Sequence, residues 1–262
     1  MPLTPSPRLA VVTGASSGIG LELAKQFAEH GFDLVVTAED AELTQAAREL
    51  ESLGTHVESL RVDLARPEGV EELVGFVLAR SRPVDALALN AGIGAGGKFA
   101  SETELDQELK LIDLNVRSTV HLAKRILPGM IERGEGRVLI TSSIASTMPG
   151  AHHAVYNASK SFTQSFAAAI REELDGTGVT VTSLMPGPTD TEFFERADLE
   201  HATMAAKRDP AGKVAQQGFE AMMNGEEKVV AGSPLNRVQA KVAAVVPDSL
   251  KAKVHGKLTQ KD

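Results

Sequence analysis

The sequence predicts an α/β fold, a doubly wound parallel sheet of about seven strands with helices on both faces. Short apolar runs alternate along the chain with longer segments whose apolar residues recur at helical spacing. Strands that alternate with helices in this way pair in parallel through right-handed crossovers. No internal repeat, low-complexity tract or linker divides the chain, so we expect residues 1–262 to form a single domain.

The order of the elements follows from the same patterns. The apolar runs place the strands at residues 9–13, 34–37, 56–62, 86–89, 137–141, 179–184 and 228–231. The amphipathic segments place the helices at residues 21–29, 41–53, 67–79, 101–127, 155–174 and 210–224. Ser101 and Glu104 fit a capping box at the start of the fourth helix, and Pro128 is expected to end it. Residues 1–8 are expected to be a flexible N-terminus, 190–224 a lid on the ligand side, and 234–262 a C-terminal extension with a basic, solvated terminal helix.

The composition excludes several classes of protein. The absence of cysteine excludes disulfides, thiolate catalysis and cysteine-based zinc sites, and without a His-Glu-x-x-His motif we expect no catalytic metal. No apolar run approaches the roughly 20 residues of a membrane span, and the start is proline-rich, so we expect a cytoplasmic protein without a membrane partner. The formal net charge of -8 argues against a nucleic-acid partner.

Glycines and polar residues gather where the predicted strands end. They are Gly14 to Gly20 after the first strand, Asp63 after the third, Asn90 after the fourth, Ser143 after the fifth, and Pro186 with Gly187 after the sixth. Core packing alone does not predict this arrangement. Because ligands of open parallel sheets bind beyond the carboxyl ends of the strands, the sequence predicts one ligand site along this edge.

The spacing Gly14-x-x-x-Gly18-x-Gly20 lies between the first strand and the first helix. Backbone amides and a helix N-terminus at such a turn bind an anionic pyrophosphate, here through Gly14, Ser16, Ser17, Gly18, Ile19 and Gly20. Glu39 follows Gly20 by nineteen residues, where a carboxylate accepts hydrogen bonds from ribose hydroxyls and repels a 2'-phosphate. This favours NAD(H) over NADP(H) as the cofactor. The alternative is that Glu39 is a solvated turn carboxylate beside Asp40.

Tyr156 is the only tyrosine in the chain, and Lys160 follows it by about one helical turn, so both side chains leave the same face. A neighbouring ammonium favours the phenolate, and bringing the pKa of a tyrosine from about 10 to near 7 takes roughly 4 kcal/mol. Such a phenol serves as an acid and a base at neutral pH. The alternative is a half-buried tyrosine beside a solvated lysine.

Together these motifs resemble the short-chain dehydrogenase/reductase family over roughly the first 190 residues. Thr13 to Gly20 is similar to its cofactor motif, Asn90 to Gly92 to its sheet-stabilising motif, and Pro186, Gly187 and Thr191 to its nicotinamide-side segment. The resemblance implies a Rossmann-like NAD(P)-binding domain with a catalytic tetrad of Asn115, Ser143, Tyr156 and Lys160. It also implies cofactor contacts from Asp63, Leu64, Asn90, Gly92, Tyr156 and Lys160.

Two positions depart from the family pattern. Leu89 stands where a second asparagine is common, and Ala38 with Glu39 stands where the family often signals cofactor choice with aspartate or arginine, so that choice stays open. By the resemblance, Asn115 would hold a water that links Lys160 to solvent. Its alternative is a helix-interior asparagine bonded to the backbone. Ser143 is selected over Ser142 only by its spacing of thirteen residues before Tyr156.

A carbonyl held between Ser143 and Tyr156 would be polarised by two hydroxyl donors, with Tyr156 supplying or removing the proton. The sequence therefore predicts an NAD(P)-dependent oxidoreductase acting on a carbonyl or secondary alcohol of a small to medium organic molecule. One alternative is a non-catalytic regulatory protein that senses the dinucleotide. The other is a serine hydrolase in which Ser16 forms a Gly-x-Ser-x-Gly elbow, with His152 or His153 as its base, although we expect these histidines to face solvent or the substrate.

Specificity is expected to come from three segments. Substrate contacts are expected from an apolar lid of Phe193, Phe194, Leu199 and Met204 and from residues 93–99 and 144–153. The alternative is that these apolar residues pack on the sheet, as we expect for at least two of them. The helices at 101–127 and 155–174 carry more small and apolar residues than one sheet face needs. This predicts a homo-oligomer, either a dimer or a tetramer.

Overall fold

The structure, a computed structural model, describes residues 7–193, 208–243 and 246–259. Its main sheet has seven parallel strands in the order β3-β2-β1-β4-β5-β6-β9. The strands are β1 Arg8–Thr13, β2 Phe32–Ala38, β3 Val57–Arg61, β4 Ala86–Leu89, β5 Gly136–Thr141, β6 Val179–Pro186 and β9 Lys228–Ala231, with a separate parallel pair, β7 Thr189–Asp190 and β8 Asp209–Pro210. The strand order reverses between β1 and β4, which confirms the predicted doubly wound fold.

Helices lie between the strands and cover both faces of the sheet. They are α1 Gly18–Glu29, α2 Leu43–Glu51, α3 Pro67–Leu78, α4 Leu105–Ile112, α5 Ser118–Arg133, α6 Ala154–Glu173, α7 Ala211–Met223, α8 Pro234–Ala243 and α9 Asp248–Thr259. A π-helical turn, Asp113–Arg117, joins α4 to α5, and a 3-10 turn, Ile144–Thr147, precedes α6.

Alternation along the strands builds two apolar cores. Val11 points to the face covered by α3, α5 and α6, whereas its neighbour Val12 points to the face covered by α1 and α7. Buried Val214 and Phe219 place α7 in the second core, packed against α1. The helix therefore packs on the sheet, although it lies inside the segment 190–224 that was expected to form a lid. Residues 194–207 of that segment, which include Phe194, Leu199 and Met204, are outside the described residues.

The predicted fourth helix is wrong at both ends. Glu104 is the extended N-cap of α4, its side chain makes no capping bond, and the helix begins at Leu105, so the capping box at Ser101 does not form. The helical segment also passes through Pro128 and ends at Gly134, whose φ of 71° provides a left-handed C-cap. Proline was expected to end the helix, but buried Ile126 and Met130 hold this stretch against the sheet.

The termini also differ from expectation. β1 begins at Arg8, which pairs with Phe32, so Arg8 does not belong to a flexible N-terminus, and residues 1–6 are outside the described ones. The terminal helix α9 is not simply solvated: His255 is buried and its Nδ1 lies 3.0 Å from the carbonyl oxygen of Ala151. In the described part of the chain, no helix has the length and apolar character that crossing a membrane requires.

Candidate active site

A cavity of about 870 Å³ runs along the carboxyl edge of the sheet, from the turn after β1 to the two C-terminal helices. Every residue that the sequence predicted as catalytic or cofactor-binding lines this cavity except Asn115. The gathering occurs because parallel strands end at a common edge, as the sequence pattern indicated. In the described part of the chain, no group of three metal-ligating side chains is present.

The glycine turn is compact because three of its residues have no side chain. Gly14 has a φ of 67°, and a Cβ there would lie 2.9 Å from Cα of Ala91. A Cβ at Gly20 would overlap the carbonyl oxygen of Gly14, so the turn could not close as it does. Ser17, the N-cap of α1, makes no capping bond and donates its hydroxyl hydrogen to Glu192 instead, at 3.2 Å. The N–H groups that begin α1 therefore remain uncapped by side chains, as an anion-binding turn requires.

Asn90 ties three strand ends together. Its Nδ2 donates to the carbonyl oxygen of Thr13 at 3.2 Å, and its Oδ1 accepts from Oγ1 of Thr141 at 3.0 Å. Its backbone N–H donates to Oγ1 of Thr13 at 2.9 Å. These bonds join the ends of β1, β4 and β5, which is the sheet-stabilising arrangement that the resemblance implied.

Ser143, Tyr156 and Lys160 come together on one wall of the cavity. The side chain of Ser143 lies close enough to the Tyr156 hydroxyl to lower the pKa of the phenol, and Nζ of Lys160 lies 5.8 Å from the centre of the Tyr156 ring. Ser143 is fixed as the N-cap of the 3-10 turn, where its Oγ accepts from the N–H of Ala145 at 3.1 Å. Lys160 is buried, and its Nζ donates to the carbonyl oxygen of Thr141 at 3.0 Å.

The charge states of this group differ from the sequence-based expectation. Burial raises the pKa of Tyr156 to about 12, and the hydrogen bond with Ser143 opposes that rise. Burial also lowers the pKa of Lys160 to about 8. The prediction that Lys160 lowers the pKa of the phenol was wrong for the protein alone, because removal from water disfavours the charged form of both groups.

Asn115 lies behind the cavity wall, in the π-helical turn. Its Oδ1 accepts from the N–H of Ile93 and its Nδ2 donates to the carbonyl oxygen of Ile93, both at 2.9 Å, while Nδ2 also donates to Oγ of Ser159 at 3.1 Å. A Cβ at Gly92 would lie 3.1 Å from Oδ1 of Asn115 and 3.4 Å from Nζ of Lys160. Asn115 therefore bonds to the backbone, as its alternative held, but it does so directly beside the lysine. Single-turn π-helices are frequent at functional sites.

The acidic residues at the other end of the cavity are already paired. Glu39 forms an ion pair with Lys110, whose Nζ lies 3.1 Å from its Oε2. Its carbonyl oxygen accepts from Nε of Arg61 at 2.9 Å. Oδ1 of Asp63 accepts from the N–H of Ala65 at 2.9 Å. Lys110 is a residue that the sequence argument missed, because no local signal connects a lysine on α4 with the end of β2.

Ser16 does not have the geometry of a hydrolase nucleophile. Its Oγ donates to Oδ2 of Asp40 at 2.9 Å, so a carboxylate and not a histidine accepts from this hydroxyl. Among the described non-glycine residues, positive φ values occur only at Ser81 and His152, so Ser16 lacks the strained backbone of a nucleophile elbow. His153 is buried rather than solvated, with its ring 5.4 Å from that of His255 and 6.4 Å from that of Tyr156.

The part of the cavity around Tyr156 contains residues from the middle and from the C-terminal part of the chain. Phe193 lies 5.2 Å from the ring of Tyr156, and Ile144 and Met148 line the same region, as expected. The sequence argument missed the C-terminal contribution. Leu235, Val238, Gln239, Val242, Val246, Leu250, Lys251 and His255 all line the cavity. The spacing of the apolar residues on α8 was the signal that could have shown this face.

The parallel sheet, its reversal point and these edge residues define a Rossmann-like α/β protein. The sequence matches the short chain dehydrogenase family over residues 8–202. It is 33% identical over 186 residues to the NADP-dependent 3-hydroxy acid dehydrogenase of Salmonella typhi, covering 71% of this chain and 74% of that protein. It is 37% identical over 191 residues to the 1-deoxy-11-beta-hydroxypentalenate dehydrogenase of Streptomyces exfoliatus, covering 72% and 70%.

Comparison with solved structures points to the same family. A short-chain dehydrogenase from Sphingobium yanoikuyae in complex with NADPH superposes with a TM-score of 0.79 at 25% identity, covering 92% of this chain and 97% of that one. The chain therefore belongs to the short-chain dehydrogenase family, a family of oxidoreductases.

Proposed function

We propose that this protein is an NAD(P)-dependent oxidoreductase that interconverts a carbonyl and a secondary alcohol, with Tyr156 as the acid and base. The observation that carries the proposal is the placement of the Ser143 side chain beside Tyr156 and Lys160, on the wall of a cavity that begins at the glycine turn. The side-chain-free cradle at Gly14 and Gly20 fits a dinucleotide pyrophosphate. The NADPH bound by the Sphingobium relative and the NADP dependence of the Salmonella relative support the same class of cofactor.

The chain's own residues supply orientation and a proton. Ser143 and Tyr156 would both donate to the carbonyl oxygen of the substrate, which polarises its C=O bond. Because the pKa of Tyr156 is raised, the phenol is protonated at neutral pH and is suited to act as the acid of a reduction. The ammonium of Lys160 would stabilise the phenolate that remains. When bound, the nicotinamide supplies or accepts the hydride.

Roles for the other residues follow the same scheme. Gly14, Ser16, Ser17, Gly18, Ile19 and Gly20 would contact the pyrophosphate, Asp63 and Leu64 the adenine side, and Asn90, Gly92, Pro186, Gly187 and Thr191 the nicotinamide side. Asn115 would position Lys160 through Gly92 and Ser159. Glu39 would accept from the ribose hydroxyls, which favours NAD(H) over NADP(H). We also propose that the protein is cytoplasmic, as its lack of cysteine first suggested.

A homo-oligomer is proposed from the outer face of α4 and α6. Leu105, Leu109 and Phe162 on this face are 68%, 47% and 42% exposed, next to Phe99, which is 60% exposed. Ile112, Val116 and Ala158 line a shallow cleft together with Phe99 and Phe162. An apolar patch of this kind is typical of a subunit contact. A dimer or tetramer by light scattering that dissociates in Leu109→Asp would support it, and a monomeric wild-type protein would contradict it.

The test of the enzymatic function is a fluorescence titration with NADH and NADPH, followed by turnover assays with carbonyl and alcohol panels. Tyr156→Phe is expected to lower kcat by at least about a hundredfold while changing the cofactor Kd less than about threefold, because the hydroxyl acts on the substrate. Cofactor binding without turnover of any compound would favour a dinucleotide-sensing protein. Ester cleavage lost in Ser16→Ala would favour a hydrolase.

A further inference from the structure

Four large apolar side chains on the C-terminal helices are about half exposed, and all four line the cavity that contains Tyr156. Leu235, Val238 and Val242 on α8 are 51%, 55% and 53% exposed, and Leu250 on α9 is 52% exposed. The three residues of α8 are spaced by three and four positions, so they share one face of the helix. We call these four residues the apolar wall. Scattered exposed apolar residues are ordinary, but a continuous set lining one cavity indicates a ligand surface.

The helices that carry the apolar wall are held in place by polar contacts. Asn236 of α8 is buried, and its Nδ2 donates to Oδ2 of Asp209 and to the carbonyl oxygen of Ala231, each at 2.9 Å. Nζ of Lys251 in α9 donates to the carbonyl oxygen of Thr147 at 3.2 Å. Since Thr147 belongs to the 3-10 turn that Ser143 caps, the wall is tied directly to the catalytic group.

The cavity beside the apolar wall has few cationic side chains that could bind an anionic substrate. Apart from Lys160, the only lysine or arginine among the described lining residues is Lys251, and its Nζ is paired with Oδ1 of Asp248 at 2.7 Å. The histidines nearby do not replace it, because burial lowers the pKa of both His153 and His255, leaving them neutral at pH 7. A carboxylate or sulfonate on the substrate would therefore meet no uncommitted cation on this part of the chain.

We propose that the substrate is a neutral ketone, or the matching secondary alcohol, whose large apolar body lies against the apolar wall. This inference rests on the function proposed above and specifies its substrate class. It separates this chain from a relative that acts on 3-hydroxy acids. The family match ends at residue 202, and α8 and α9 lie beyond it, so the wall belongs to the part of the chain that the family pattern does not cover.

The test is a series of straight-chain methyl ketones from 2-butanone to 2-dodecanone, assayed with whichever of NADH and NADPH binds more tightly. Each added methylene that reaches the wall is expected to raise kcat/KM about threefold, until the wall is covered. Keto acids of matched length, with a terminal carboxylate, are expected to react at least about a hundredfold more slowly than the longest ketones. A flat length dependence, or faster turnover of the keto acids, would overturn the proposal.

The double variant Val238→Asn, Val242→Asn probes the wall itself. Both positions are exposed, so the substitutions are expected to leave folding intact, which circular dichroism and the unaltered Kd for the cofactor would verify. The ratio of kcat/KM for 2-decanone to that for 2-butanone is expected to fall at least about tenfold. Leu78→Asn is the matched control, because Leu78 is 59% exposed at the end of α3 and is not among the lining residues.

The outcomes separate this inference from the proposed function. If the protein binds neither dinucleotide and turns over no carbonyl compound, the proposed function itself fails. If it reduces ketones without a dependence on chain length, or with a dependence that the double variant does not reduce, the function stands and the apolar wall is not the substrate surface.

Discussion

The ammonium of Lys110 lies 3.1 Å from Oε2 and 3.4 Å from Oε1 of Glu39, so a cation from α4 reaches the carboxylate at the end of β2. The two side chains are 45% and 41% exposed, which makes the pair a modest, screened interaction. Its importance lies in its position, because Glu39 lines the cavity where a ribose hydroxyl or a 2'-phosphate would distinguish the two cofactors. The net charge that a 2'-phosphate meets there depends on both residues.

The two members of this pair are expected to shift cofactor preference in opposite directions. Lys110→Ala leaves the carboxylate uncompensated and should raise the Kd for NADPH about threefold to fivefold relative to that for NADH. Glu39→Gln leaves the ammonium available for a 2'-phosphate and should lower the same ratio by a similar factor. Fluorescence titration at low ionic strength measures both constants.

Two further measurements complete this experiment: the double variant Lys110→Ala, Glu39→Gln, and the same titrations with added salt. With both charges removed, the ratio of the two Kd values should return toward that of the wild type, and added salt should reduce each single effect. If the ratio of the Kd for NADPH to that for NADH is the same in the wild type, both single variants and the double variant, the Glu39–Lys110 pair does not interact with the cofactor.

Replacing Asn115 is expected to destabilise the protein and to impair catalysis together. Asn115→Ala removes three hydrogen bonds from a side chain that is only 2% exposed, and it leaves the backbone groups of Ile93 without their partner. Unpaired groups of this kind cost about 1–3 kcal/mol, measured by urea unfolding. Because Gly92 and Lys160 adjoin Asn115, kcat should fall as well. Asn224→Ala, at the C-terminal end of α7, is the control, and an equal loss of stability there would contradict the assignment.

Gly20→Ala is expected to weaken cofactor binding although alanine is the better helix former. The added methyl group would overlap the carbonyl oxygen of Gly14 and approach Nδ2 of Asn90 at 2.6 Å, which forces the turn open. Overpacking of this kind costs about 1–3 kcal/mol and should raise the Kd for the cofactor more than about tenfold. Gly75→Ala on α3 meets no atom within 4 Å and should instead stabilise the protein by about 1 kcal/mol. Unchanged cofactor binding in Gly20→Ala would contradict the proposal that the turn at Gly14 and Gly20 binds the pyrophosphate of the cofactor.

The sequence predicted those parts of the fold and site that depend on local spacing. The glycine turn, the position of Asn90 and the common face of Tyr156 and Lys160 follow from strand and helix periods, and the structure has each of them. Parallel pairing of the strands then brings these residues to one edge of the sheet. Asn115 and Ser143 were predicted as site residues only from the resemblance to the family. Their residue types alone did not distinguish them from ordinary helix or strand-end residues.

What the sequence did not predict depends on contacts distant along the chain. The pairing of Lys110 with Glu39 spans 71 positions, and the contact of His255 with Ala151 spans 104. The pKa of Tyr156 was predicted in the wrong direction because the argument considered the adjacent lysine and not the loss of water around both groups. Pro128 was taken as a helix end because the packing of Ile126 and Met130 was not known.

His153 is expected to make the protein lose stability as the pH falls. Burial, followed by the neighbouring His255 and His152, lowers the pKa of His153 from 6.5 to about 4, and its Nε2 has no hydrogen-bond partner among the described residues. Between these two pH values the unfolded chain binds a proton that the folded chain does not bind, so unfolding becomes more favourable as the pH falls from 6.5 toward 4. Between pH 7 and pH 5 this group alone should cost about 2 kcal/mol of the free energy of unfolding.

His153→Phe tests this without removing the ring contacts to His255 and Tyr156. The variant has no group to protonate at that position, so its free energy of unfolding should fall between pH 7 and pH 5 by about 2 kcal/mol less than that of the wild type. His56→Asn is the control for the loss of a histidine, since the side chain of His56 is 66% exposed. Urea unfolding at several pH values measures all three proteins. If the profiles of the wild type and His153→Phe run parallel, then His153 is protonated equally in the folded and unfolded chains, and the buried neutral imidazole beside Tyr156 is not a feature of the protein in solution.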